Sequence, residues 1–333
     1  MNDSKDTARQ SDPDSPTDLP KRALADVARR VRQEFSDDHV TDVAAGLTYY
    51  AVLSVVPALI VLVSILGLLG PEATQQVQSQ ANQIAPGSSA GLVRTLMDQA
   101  QANRSGAGLS AVLGLAVALW SASGYVAAFI RASNVVYDIG EGRPIWKTLP
   151  LRIGLTVFAL VMLLLCVLIV VLSGPVAHHV GDIIGLSDTA VLVWNIVKWP
   201  VLLVLVTALL AVMFWAGPNA KQGGVRWVSP GGAVAMLIWL VGSALFALYV
   251  TRFASYDKTY GSMAGVVIFL VWLWLTNIAI LLGLEINAEL DHGKALSEGL
   301  PPSSEVFVDP RDTRKLDPEE VEAVRLARDA REG

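Results

Sequence analysis

The chain of 333 residues is 53% hydrophobic and only 17% charged, with a formal net charge of −5 at pH 7. This composition excludes a pair of ordinary soluble domains and predicts an all-α membrane protein. The acidic balance offers no basic surface for nucleic acid, and the single cysteine, Cys166, excludes a disulfide framework.

The segment before the first apolar stretch divides into two parts. Residues 1–20 are rich in Asp, Ser and Pro, which predicts a disordered tail. In residues 21–42, apolar residues such as Leu24 and Val31 recur at helical spacing with arginines opposite, which predicts an amphipathic juxtamembrane helix. We expect residues 21–35 to lie in the interface against anionic lipid headgroups. The alternative is a plain surface helix packed on a loop.

Six stretches are long and apolar enough to cross a bilayer, whose hydrocarbon core of about 30 Å needs roughly 20 apolar residues per helix. They cover residues 43–69, 109–130, 153–172, 190–215, 228–250 and 263–284. Only the fourth contains a charged residue, Lys198. The sequence therefore predicts a domain of six transmembrane helices over residues 43–290.

The distribution of basic residues predicts the orientation. Most lysines and arginines fall in residues 1–42, 131–152, 216–227 and 291–333, and cytoplasmic flanks carry such an excess. Both the N and C termini are therefore expected in the cytoplasm, with the loop of residues 71–108 outside. The last segment is predicted to be an acidic cytoplasmic tail with a short helix, because Asp317 and Pro318 form a typical helix start.

A polar residue inside an apolar span needs a partner or water, so each one is a functional candidate. In and just after the first two spans, the candidates for a polar interior or pathway are Tyr49, Tyr50, Ser54, Pro57, Tyr125, Arg131 and Asn134. Pro57 removes a backbone amide and predicts a kink in the first span. The polar cluster of the second span predicts that its inner half faces the bundle interior.

The sixth span ends in two acids four residues apart. At 100° per residue, Asn277, Glu285 and Glu289 share one helix face, and Asn277 lies about 12 Å from Glu285 along the axis. In one interpretation the acids are a polar stop. In a second, Glu285 is the inner end of a polar path that runs through Asn277 and Tyr125. In a third, the acids are ligands or general acid and base of an intramembrane enzyme, although no histidine lies in any predicted span.

The polar-stop interpretation also predicts the partners of the two acids. The candidates are the cytoplasmic arginines Arg131, Arg143 and Arg152.

Four segments together resemble the YihY/virulence factor BrkB family of bacterial inner-membrane proteins. They are the Tyr49–Tyr50 pair with Ser54 and Pro57, YGSMAGVV at 260–267, LVWLWLTN at 270–277, and GLEINAEL at 283–290. The resemblance runs from about Asp26 to Leu290. It implies a six-span protein of the bacterial inner membrane whose activity is poorly defined. Some members are linked to serum resistance, and one is described as a candidate transporter connected with lipopolysaccharide precursors. The family was long mislabelled as ribonuclease BN.

The sequence favours a transporter-like function for an amphiphilic or lipid-linked substrate. The alternative is a non-transporting membrane scaffold or envelope-assembly factor, and an intramembrane enzyme ranks third. No catalytic, cofactor-binding or metal-binding residue is predicted, and ribonuclease activity has no support in the sequence. Membrane lipids are the expected partners, no nucleic acid is expected, and homo-oligomerisation is left open.

Overall fold

The computed structural model describes residues 21–68, 109–171, 188–222, 225–252, 264–302, 304 and 306–332. The predicted tail of residues 1–20 and the loop of residues 71–108 lie outside these ranges.

The described residues form eight helices and no strand. They are α1 (Lys21–Asp37), α2 (Val40–Leu68), α3 (Leu109–Val136), α4 (Ile145–Val171), α5 (Asp188–Ala216), α6 (Val225–Arg252), α7 (Ala264–Ser297) and α8 (Pro318–Glu332). The all-helical class predicted from the sequence is therefore confirmed for this part of the chain.

Each of the six predicted apolar stretches lies on one of the helices α2 to α7. Within the described residues, four segments are long and apolar enough to cross a membrane: Ile145–Val170, Leu192–Ala216, Pro230–Val250 and Gly265–Ser297. Val40–Val55 in α2 is a shorter apolar segment. The helices extend past the predicted stretches at several ends. The largest extension is in α7, which continues to Ser297.

Close contact between α6 and α7 depends on small residues. The backbone amide of Gly231 in α6 donates a hydrogen bond of 2.9 Å to Asn287 Oδ1 in α7. A Cβ atom at Gly283 would lie 2.5 Å from both the Ala235 Cβ and the Gly231 carbonyl oxygen. Glycine thus lets the two backbones approach closely, as in many membrane bundles.

The buried core lies where α2, α3, α5 and α7 meet. Its largest fully buried apolar side chains include Leu47, Phe129, Phe214 and Leu281. The rings of Phe129 and Phe214 stack with centroids 6.2 Å apart. This core fixes the positions of α3 and α7, the two helices that carry most of the candidate site.

Helix α1 packs on the C-terminal half of α7. Val27 and Leu290 are both buried, and Val31 and Ile286 pack beside them. The structure therefore places part of the predicted apolar face of α1 on another helix, α7, and not on a loop. The helix ends at Asp37, not at residue 42, because His39 adopts φ 48° between α1 and α2. Three elements lie at one end of the bundle: α1, the C-terminal part of α7, and α8. We call this end of the bundle the terminal end.

The residues before α8 are bound to the terminal end by the buried side chain of Asn219. Its Nδ2 donates to the carbonyl oxygens of Gly140 and Asp312, at 3.1 and 2.8 Å. Its Oδ1 accepts from the Asp312 amide at 3.1 Å. The predicted tail helix is present as α8, and buried Val324 and Ala327 attach it to the protein.

Candidate functional site

Three polar side chains from α2, α3 and α7 meet inside the bundle. The Tyr125 hydroxyl donates to Asn277 Oδ1 at 2.9 Å, and Asn277 Nδ2 donates to Thr48 Oγ1 at 3.0 Å. Only 1% of the Asn277 surface is exposed. Thr48 Oγ1 in turn donates to the Ala44 carbonyl oxygen at 2.7 Å. We call Thr48, Tyr125 and Asn277 the polar triad. It holds α2, α3 and α7 together in a region where water is scarce.

At 1.5 Å per residue, Glu285 lies about 12 Å and Glu289 about 18 Å further along α7. Glu289 forms an ion pair with Arg30 of α1, and its other oxygen lies 3.7 Å from His292 Nδ1. The carboxyl groups of Glu285 and Asp38, which follows α1, lie close enough to interact. Two carboxyl groups can share a hydrogen bond only if one of them keeps its proton. We call Asp38 and Glu285 the carboxyl pair.

Glu285, like His292 through its Nε2, has a buried polar atom without a hydrogen-bond partner among the described residues. The exposed fraction of Glu285 is 1%, and its unpartnered atom is Oε1. A buried polar atom without a partner costs on the order of 1 to 3 kcal/mol, and more if it is charged. A residue kept at this cost inside an apolar helix is a functional candidate.

A cavity of about 730 Å³ opens beside Glu289 at the terminal end. Its polar lining includes Glu34, Asp138, Glu289, His292, Glu319 and Glu320. Burial and the nearby Glu289 raise the pKa of Glu34 above its ordinary value. The cavity therefore joins Glu289 of α7 to acidic residues of α8.

The candidates of α2 do not enter this line of polar groups. Tyr49 is 62% exposed and packs edge-on against Tyr50, with ring centroids 5.5 Å apart. The buried Ser54 hydroxyl donates to the Ser121 carbonyl oxygen of α3 at 3.3 Å. Pro57 lies inside α2. The structure thus brings Ser54 to the α2 and α3 interface and leaves Tyr49 on the surface.

The candidates near the end of α3 also lie elsewhere. The Arg131 guanidinium sits over the Tyr50 ring, 5.4 Å from its centroid. Asn134 belongs to the terminal end: its Oδ1 accepts from the Asn219 amide at 2.7 Å and its Nδ2 donates to Glu141 at 3.0 Å. Neither residue contacts the polar triad or the carboxyl pair.

The predicted arginine partners of the two acids are wrong in detail. Arg143 pairs with Glu141 at 2.6 Å, and Arg152 donates to the Ser123 hydroxyl of α3 at 2.7 Å. Arg30 takes their place, because α1 folds back on α7 and brings its own basic residue to Glu289.

Sequence reasoning missed Thr48, Arg30 and Asp38 as members of this region. Thr48 has a recognisable signal, since it lies one residue before the tyrosine pair inside an apolar stretch. Arg30 and Asp38 have none, because their partners are more than 240 residues away along the chain. In the described part of the chain, no group of three or more His, Cys, Asp or Glu side chains is arranged to hold a metal ion.

Comparison with known proteins identifies relatives over most of the chain. A sequence profile described as virulence factor BrkB matches residues 31–305. The ribonuclease-like protein YfkH of Bacillus subtilis is 34% identical over 258 residues, which cover 78% of this chain and 92% of that protein. A UPF0761 membrane protein of Chromohalobacter salexigens is 29% identical, over 82% of this chain and 65% of its own length.

A UPF0761 membrane protein of Vibrio campbellii is 26% identical, over 80% of this chain and 83% of its own length. No solved structure matches significantly. The membrane-protein relatives and the four long apolar helices agree that this chain is a multi-pass membrane protein, consistent with the bacterial inner membrane.

Proposed function

The chain belongs to the virulence factor BrkB family, and we propose that within this family it is a transporter-like protein for an amphiphilic or lipid-linked substrate. The proposal includes six transmembrane helices, α2 to α7, with the terminal end in the cytoplasm. The distribution of lysine and arginine supports this orientation.

The observation that carries the proposal is the unpartnered, buried Oε1 atom of Glu285. A protein that only needs stability gains nothing from this group, since an apolar residue of similar size would avoid the desolvation cost. A transporter does need a protonatable group inside the bundle, and polar groups within membrane spans mark substrate and ion pathways. The carboxyl pair supplies such a group.

We infer a path from the position of the polar residues. It begins at the cavity of about 730 Å³, passes Glu289 and the carboxyl pair, and reaches the polar triad about 12 Å further on. In the described conformation this path is closed at Asn277, whose amide is hydrogen-bonded on both sides. Transport therefore requires the bond between Tyr125 and Asn277 to open during the cycle.

The satisfied hydrogen bonds of the polar triad favour a second candidate, a non-transporting membrane scaffold. In that case Thr48, Tyr125 and Asn277 serve only to hold three helices together, as interhelical hydrogen bonds do in many bundles. We propose no enzymatic function. The name of the Bacillus subtilis relative includes the word ribonuclease, but that name applies to the relative and is not carried over to this chain.

Transport can be tested in liposomes that contain the purified full-length chain and a panel of fluorescent phospholipids. We expect wild-type flux above that of protein-free liposomes, and a strong loss in Glu285→Gln and Asn277→Ala. Glu322→Gln, which removes an exposed acid of α8, is the matched control and should keep wild-type flux. If all four proteins give the flux of empty liposomes, the transporter proposal fails and the scaffold remains.

A further inference from the structure

Two arginines lie together on the face formed by α2, α3 and α4, and neither takes part in the path described above. The Arg131 guanidinium covers the Tyr50 ring, and the Arg152 guanidinium covers the Trp120 ring at 4.7 Å from its centroid. Tyr50 lies against Gly124, and Arg152 bonds to the adjacent Ser123. Both cations therefore flank the same short stretch of α3.

The two guanidinium groups carry like charges beside the same stretch of α3, so each disfavours the other. In the described part of the chain, neither arginine forms an ion pair with an acid. Two acids of the terminal end have other partners: Glu141 pairs with Arg143, and Asp312 pairs with Lys147 and Arg314. This face thus carries two positive charges and no compensating carboxylate.

The positions of Arg131 and Arg152 along their helices indicate which anion can neutralise them. Arg152 lies seven residues into α4 and Arg131 five residues before the end of α3, which places them about 8 to 10 Å inside the helix ends. Arginine side chains at this depth extend to the level of the lipid headgroups. The phosphate of a phospholipid is the anion that the bilayer offers there, and guanidinium groups bind phosphate with strong charge-assisted hydrogen bonds.

The surroundings suit the rest of a lipid. Tyr49, Leu53 and Trp120 are 62%, 54% and 54% exposed, so an apolar and aromatic surface lies next to the two cations. Aromatic side chains of this kind are enriched at the membrane interface. An acyl chain could lie along this surface while the phosphate stays with the arginines.

We propose that Arg131 and Arg152 form a binding site for the phosphate of an anionic phospholipid, with its acyl chains against Tyr49, Leu53 and Trp120. The inference deepens the proposed function, because it names the headgroup chemistry that an amphiphile would need to approach the bundle from the bilayer. Binding is measured at equilibrium, so a failure of transport would leave it standing.

The test uses the full-length protein, purified in a non-ionic detergent, delipidated and titrated with phosphatidylglycerol under native mass spectrometry. We expect one retained phosphatidylglycerol in the wild type and binding at least about tenfold weaker in Arg131→Gln/Arg152→Gln, as the loss of charge-assisted hydrogen bonds predicts. The control Lys315→Gln/Arg325→Gln removes two exposed cations elsewhere and should bind like the wild type.

Two further variants keep the test decisive if the double substitution disturbs folding. Arg131→Gln alone removes a side chain whose contact in the structure is the Tyr50 ring, and it should still weaken binding. Arg131→Lys/Arg152→Lys keeps both charges and should recover part of the affinity.

Phosphatidylcholine and inorganic phosphate identify the source of the phosphate. Equal retention of phosphatidylglycerol by the wild type and the double variant would overturn the proposal, and so would equal binding of phosphatidylcholine. Binding of inorganic phosphate but not of phosphatidylglycerol would overturn the proposal and assign the site to a free anion. If the double variant changes its oligomeric state but still binds the lipid, the proposal is also overturned, and the face contacts a second copy of the chain.

Discussion

The Tyr125 hydroxyl of α3 donates a hydrogen bond of 2.9 Å to Asn277 Oδ1 of α7, 152 residues away along the chain. Because Asn277 also donates to Thr48 of α2, one amide group links three helices. The same amide stands between the carboxyl pair and the opposite half of the bundle, so it is both a structural link and the point at which the proposed path is closed.

Loss of the Asn277 amide should destabilise the bundle more than loss of the Tyr125 hydroxyl. Asn277→Ala leaves the polar atoms of Tyr125 and Thr48 without this partner, at an expected cost of about 1 to 3 kcal/mol, whereas Tyr125→Phe removes one bond at about 1 kcal/mol. The free energy of unfolding in mixed detergent micelles measures both. Equal stability of Asn277→Ala and wild type would show that the triad contributes nothing.

Close packing of α6 on α7 predicts a sharp difference between two glycines of the same helix. A Cβ atom at Gly283 would meet Ala235 Cβ and the Gly231 carbonyl oxygen at 2.5 Å, so Gly283→Ala should cost about 1 to 3 kcal/mol or more. Gly265 has no atom within 4 Å of that position. Gly265→Ala should be neutral or stabilise by up to about 1 kcal/mol, as alanine does in a helix. Thermal unfolding of both variants checks this; equal effects would contradict the packing.

The contact between α1 and α7 should be tighter in acid than in alkali. Burial raises the pKa of Asp38 above its ordinary value, so the docked state holds its proton more strongly than the undocked state does. This contribution is complete below the ordinary carboxyl pKa and is lost as the pH rises through the raised value. The other titratable groups around Asp38 are Arg30, Glu34, Asp37, His39, Glu285, Glu289 and His292.

A spin label at exposed Gln33, in a Cys166→Ser background, reports on this contact. Its mobility should increase in the parent protein as the pH rises through the raised pKa of Asp38. Asp38→Asn removes the titrating group and should reduce the change. An identical pH response in the two proteins would assign the effect to another group.

Hydropathy predicted the four long apolar segments of the described residues, because the need for about 20 apolar residues per span is a local property of the sequence. It missed Arg30 and Asn219, whose partners Glu289 and Asp312 lie far away in the chain. Helical periodicity placed Asn277 and Glu285 on one face but could not show which residues of α1 would meet that face. Such pairings depend on how the helices pack, and no short pattern of residues specifies them.

The attachment of the C-terminal segment should depend on Asn219. Asn219→Ala removes three hydrogen bonds to Gly140 and Asp312 and should release the residues before α8. Cleavage by trypsin at Arg311, Arg314 or Lys315 in detergent should then be several times faster than in the wild type. Asn195→Ala, near the opposite end of α5, is the control and should not change the rate.

The central claim is that water and substrate reach Asn277 from the terminal end, and cysteine accessibility tests it most directly. Asn277→Cys and Ala279→Cys are compared in a Cys166→Ser background, using inside-out membrane vesicles and a small, charged thiol reagent. Both positions are buried at nearly the same depth, but they lie about 200° apart on α7. We predict modification of Asn277→Cys and protection of Ala279→Cys. Equal protection of both cysteines would contradict a path through the polar triad.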